Sequence, residues 1–238
     1  MSASTTAMAS SPSATAQRAM WDRQWRTAGI QFVVFSIILA FMYGDVPRVG
    51  ASGDALAAFY GAHRTRILIA STLAGLNTLN LLWFAASLRN TLVEAGQEGW
   101  GTAATVSSAA FGALYSLLIT IGAALAYSIA GSGNGALASG LNDLAWALAV
   151  LISFPRAMLI MSGVFGLWRA GMTSNSLFTV GVVAVVLGVL GGTTWLSGGF
   201  WAPDGDYSRF VSPLLLLLWI VVVSRVLLSR TPATRTGW

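Results

Sequence analysis

The chain has 238 residues, of which 55% are hydrophobic and 9% charged, with a formal net charge of +5. Soluble domains carry about 25% charged residues, so this chain is too poor in charge to clothe a soluble surface, and lipid must cover much of it. With no Cys and a single His, disulfides, thiolate sites and His-cluster metal or haem centres are excluded.

Residues 1–17 are rich in Ser, Ala and Thr and lack the apolar core of a secretory signal, so they read as a disordered tail. Arg18, Arg23 and Arg26, interleaved with Trp21 and Trp25, suit a headgroup-level anchor. The tail and anchor together occupy about 1–25, ahead of a single transmembrane domain over 26–229 and a second tail at 230–238.

The first predicted span covers 27–43 and is short for a crossing. A Gly- and Pro-containing loop follows. Ser52 and Asp54 then cap a short helix in which Leu56, Phe59, Tyr60 and His63 share one face, the pattern of a helix lying in the interface. His63 suits an amphipathic face better than a ligand or a base. Arg64 and Arg66 open span 2, 67–88, which carries Asn77 and Asn80 near its middle.

Span 3, 102–130, repeats Ser108, Gly112, Ser116, Thr120, Ala124 and Ser128 at every fourth position, a small-residue stripe suited to close helix packing. Span 4, 141–169, is a long apolar run with Arg156 near its middle, directly after Pro155. Span 5, 177–196, has Ala184, Gly188 and Gly192 as a second close-packing face. An aromatic loop with Asp204 and Asp206 follows; two carboxylates are too few for a Ca²⁺ site, and a turn is the expectation. Span 6, 210–228, begins near Pro213.

The expected fold is therefore an all-α, polytopic integral membrane helix bundle of about six transmembrane helices plus one short interfacial helix. Six spans put both termini on one side. Cytoplasmic termini place Arg18, Arg23, Arg26, Arg89, Arg169, Arg225, Arg230 and Arg235 inside, against Arg48, Arg64, Arg66 and Arg209 outside, as the positive-inside rule prefers. Basic residues spread along membrane edges do not form a nucleic-acid-binding patch.

Counting along the helices at ~1.5 Å per residue puts Asn77, Arg156 and Gln31 at similar depth, roughly 16–20 Å below the outer edge, with Tyr115 and Thr120 bracketing that level. An Arg near the bilayer centre costs at least ~2.5–3.5 kcal/mol. It therefore needs partners or water. Pro155 contributes by freeing the carbonyl of Leu151. The expectation is a polar layer in which Arg156, Asn77, Asn80, Gln31, Tyr115 and Thr120 line a site for a small polar or anionic ligand. The competing reading is a structural Arg, snorkelling or satisfied internally.

Arg26-Thr-Ala-Gly29 at the head of span 1, Gly53-Asp-Ala55 before the short helix and the Arg residues opening span 2 resemble an uncharacterised family of bacterial multi-pass membrane proteins. The likeness runs over 26–88. It implies a bacterial inner-membrane location and brings no activity, cofactor or site residue.

Every Asp and Glu sits at a span edge or in a loop, and no Ser/His/Asp or paired-carboxylate set is visible, so no catalytic residue, metal or cofactor is assigned. Binding or transport of a polar ligand, or service as a non-catalytic partner or assembly subunit, ranks ahead of an enzyme acting on lipids. The partners implied are the bilayer, a small polar ligand and a further copy or another membrane subunit.

Overall fold

The computed structural model describes the backbone of residues 12–229 and the side chains of residues 27–229. The tails at 1–11 and 230–238, and the side chains of the Arg/Trp anchor up to Arg26, lie outside the described residues.

Among the described residues the chain is all-helical, with no strand. The elements are α1 (Pro12–Tyr43), α2 (Gly53–Glu94), α3 (Glu98–Ala124) with a π-helical end (Leu125–Ile129), α4 (Gly135–Leu151), α5 (Ser153–Arg169), α6 (Asn175–Leu190) with a 3₁₀ turn (Gly191–Thr193), and α7 (Ser212–Leu228) behind a π turn (Tyr207–Val211). Five helical stretches are long and apolar enough to cross a membrane: Gly53–Glu94, Glu98–Ile129, Gly135–Arg169, Asn175–Thr193 and Tyr207–Leu228. The apolar part of α1, Thr27–Tyr43, is a shorter sixth.

Two boundaries differ from expectation. The backbone is already helical from Pro12, where composition points to a tail; Pro is preorganised for the first helical position. The helix expected to lie in the interface is the opening of α2, which runs unbroken for 42 residues. Its cap is the expected one, Ser52 Oγ accepting from the Ala55 amide at 3.3 Å. No Gly or Pro lies between His63 and Ile67 to stop propagation. Instead of resting on lipid, Leu56 and Tyr60 are buried against the ends of α3 and α4, and His63 sits edge-on to Phe59.

Neighbours pack in the order α1 on α2 and α7, α2 on α3, and α5 between α3 and α6. Glycines set the closest approaches. A Cβ on Gly29 would overlap Ser224 Oγ and the Phe84 ring, so this position lets α1 meet α7 and α2 together. On α6, Gly181 faces Val164, Gly188 faces Ala157 and Gly192 faces Phe154, so the expected seam of this helix is its contact with α5.

The stripe on α3 behaves differently. Ser108 and Gly112 are buried, Gly112 against Thr78 of α2, but Ser116, Thr120 and Ser128 are exposed. Four residues turn a helix by more than one revolution, so a strict four-residue repeat drifts about 40° per step. The stripe winds off the interface after two members.

Three core clusters result among the described residues, the smallest formed by Leu39, Ala70 and Ala74 where α1 meets α2. Of the larger two, one, around Leu88, Leu92, Ile160, Leu167 and Ile220, fills the half of the bundle nearer the α2–α3 turn. The other, around Leu56, Ile67, Leu125 and Leu148, fills the half nearer the α1–α2 loop.

Candidate functional site

The long helix Gly135–Arg169 breaks at Ile152, three residues ahead of Pro155. Pro155 thus lies in the first turn of α5, where backbone N–H groups have no helical partner to lose. The restart carries Arg156 into the bundle. Only 8% of its surface is exposed.

Its surroundings are sparse. Nη1 donates to Ser212 Oγ at 2.8 Å, and that oxygen lies 3.3 Å from Ser153 Oγ. The guanidinium carbon stands 5.7 Å from the centre of the Phe111 ring. Gly191 lets the end of α6 close on the serine pair; a Cβ there would come within 2.8 Å of Ser212 Oγ. Buried Nε has no hydrogen-bond partner. Arg209 is paired with Asp45, and among the described residues no carboxylate lies within ion-pair distance of Arg156. A guanidinium carries five N–H donors. One hydroxyl and one ring face do not neutralise it.

What Arg156 does face is a cavity of about 360 Å³. The cavity is walled by α1, α2, α3, α4, α5 and α7, and members of all three core clusters line it, among them Phe111, Ile67 and Leu39. Its walls are mainly apolar, among them Phe32, Leu39, Ile67, Phe111, Leu118 and Leu216. Polar groups gather at the other end, near the α1–α2 loop: Tyr43, Tyr60, Asn142, Trp146 and Arg209.

At that end α4 is tied to the α1–α2 loop. Asn142 Nδ2 donates to the Arg48 carbonyl at 2.9 Å, Trp146 Nε1 to the Pro47 carbonyl at 2.9 Å, and Ser139 Oγ to the Ala51 carbonyl at 3.0 Å. Asp143 Oδ1 accepts from the Gly50 amide at 2.9 Å. Arg209, in the π turn before α7, pairs with Asp45 of the same loop. The hydrogen bond from Arg209, reinforced by its charge, holds the Asp45 carboxyl below the usual carboxylate range.

The expected single polar layer divides in two. Arg156 and Tyr115 line the cavity, Tyr115 beside Phe111. Asn77 is fully buried one layer behind, where it clamps α1 to α2: Nδ2 donates to the Phe32 carbonyl at 3.2 Å and to Ser36 Oγ at 3.1 Å, while Oδ1 accepts from Asn80 Nδ2 at 3.1 Å. Ser36 and Phe32 form wall; the two asparagines do not. Gln31 is exposed and turns back to Thr27 Oγ1, and Thr120 is exposed and donates to the Ser116 carbonyl. Both find partners within their own helices, so nothing draws them to Arg156.

Sequence reading missed Ser212, Ser153, Phe111, Asn142, Trp146 and the Asp45–Arg209 pair. Ser153 stood one helical turn from Arg156, a detectable spacing. Ser212 and Phe111 come from distant helices and gave no such signal. His63, Asp143 and Asp206 are not among the cavity's lining residues.

Comparison with protein-family models, with curated proteins and with solved structures found no match.

Proposed function

We propose that this membrane protein binds a small ligand bearing an anionic group, with Arg156 as its counter-charge. One observation carries the reading: a guanidinium more than nine-tenths buried, without an acidic partner, forms part of the wall of a 360 Å³ cavity. A structural Arg would be satisfied by protein groups, and this one is not. The bundle sits in a cell membrane, with termini on the cytoplasmic side and the α1–α2 loop outside; the distribution of Arg residues supports that orientation.

The test is equilibrium binding to the purified protein in nanodiscs. Chloride, acetate, benzoate and decanoate are titrated against the wild type and a folded Arg156→Gln variant. Hydrogen bonds to a charged group contribute ~1.5–3 kcal/mol, so the variant is expected to bind at least one of these anions about ten- to a hundredfold more weakly. Equal binding of every anion to both proteins contradicts the reading.

A further inference from the structure

We infer that the ligand is a monoanionic amphiphile, a monocarboxylate with an apolar body, seated carboxylate-inward. This rests on the anion-binding reading above and narrows it.

Charge limits the head. Arg156 is one cation with no carboxylate beside it, and the second Arg on the cavity, Arg209, is already paired with Asp45 at the loop end. A monoanion on Arg156 makes a neutral pair inside hydrocarbon. A dianion there leaves a net negative charge, which apolar surroundings penalise heavily. A bare inorganic ion neutralises Arg156 but leaves the flanking walls, Leu39, Ile67, Leu118, Ile119, Ala149 and Leu217, without an apolar partner.

Volume limits the body. A cavity of about 360 Å³ lies at the small end of the ~300–1,000 Å³ range of small-molecule sites, far more than acetate fills and in keeping with a medium-length chain such as decanoate. Arg156 supplies the charge of the lining and its leucines, isoleucines and phenylalanines the hydrocarbon, with the hydroxyls of Ser36 and Tyr115 among them. An amphiphilic acid matches charge and hydrocarbon together, its tail directed toward the α1–α2 loop.

The experiment compares decanoate, decanol, decanedioate, acetate and hexadecanoate by equilibrium binding in nanodiscs, the last supplied through the bilayer. Decanoate is expected to bind at least tenfold more tightly than each of the others. Folded Ala149→Phe, which fills the apolar segment, is expected to lose decanoate tenfold while keeping acetate unchanged; Leu118→Trp serves if that variant does not fold. Acetate or decanedioate binding as tightly as decanoate, with Arg156 still required, overturns the amphiphile and leaves the anion site standing. Tighter binding of hexadecanoate overturns the size limit and identifies a membrane-borne acid as the occupant. Decanol equal to decanoate, or no anion whose binding depends on Arg156, overturns both readings.

Discussion

Two buried polar residues at comparable depth do opposite work. Asn77 meets a carbonyl, a hydroxyl and a second amide, and is satisfied. Interhelical hydrogen bonds in membranes average ~0.6 kcal/mol, so Asn77→Leu is expected to destabilise the bundle by about 1–2 kcal/mol in reversible unfolding. Its anion binding should change less than threefold, because the amide stands behind the cavity wall. Asp45 offers a pH test. Its carboxyl titrates below its unfolded value, so the pairing contribution is fully present above about pH 4 and disappears only as pH falls through the lowered folded value. The carboxylate is exposed, and such pairs add little to global stability. Asp45→Asn is therefore expected to leave Tm unchanged while loosening the loop. A spin label at Val49→Cys should report equal loop mobility from about pH 8 to 5 in the otherwise native chain, and higher mobility in the Asn variant throughout.

At the scale of the helices, contact is decided by small residues that stay on one face. Gly188 is buried against Ala157, whereas Thr120, drawn from an equally regular repeat, is exposed. Gly188→Leu is expected to cost about 1–3 kcal/mol through overpacking. Thr120→Leu should fall within about 0.5 kcal/mol of wild type. The two helices show how far a pattern can be read. On α6 the small residues recur at mixed three- and four-residue steps that hold one face, because Gly181 joins Ala184, Gly188 and Gly192. On α3 the pure four-residue step rotates away. The extent of α2 was hidden for a related reason: its amphipathic opening suits an interface and a helix-end packing site equally, and only tertiary contact chooses between them.

For the whole molecule, composition and apolar periodicity were enough to read an all-helical membrane bundle, since both follow from the solvent that must cover the chain. The azimuth of a side chain within the bundle was not legible. Which way Asn77 or Gln31 points depends on how each helix is rotated by its neighbours, and that is a property of the packed bundle. The cavity itself, a space left among packed helices, has no sequence signature. Orientation remains open to a direct test, since the chain has no Cys to remove. Ser132→Cys is expected to react with an impermeant maleimide added outside intact cells, and Thr173→Cys only after permeabilisation; the reverse pattern contradicts cytoplasmic termini.

The central claim is that Arg156 is kept for a ligand and not for the fold. The measurement that addresses it most directly is the unfolding free energy of ligand-free Arg156→Met in nanodiscs. Met fills similar space without a charge to desolvate, and replacing buried ionic groups by apolar ones is often neutral or stabilising by ~1–4 kcal/mol. The expected result is a variant at least as stable as wild type that no longer binds decanoate. A loss of about 3–5 kcal/mol, the cost of breaking a buried pair that supports the structure, would contradict it.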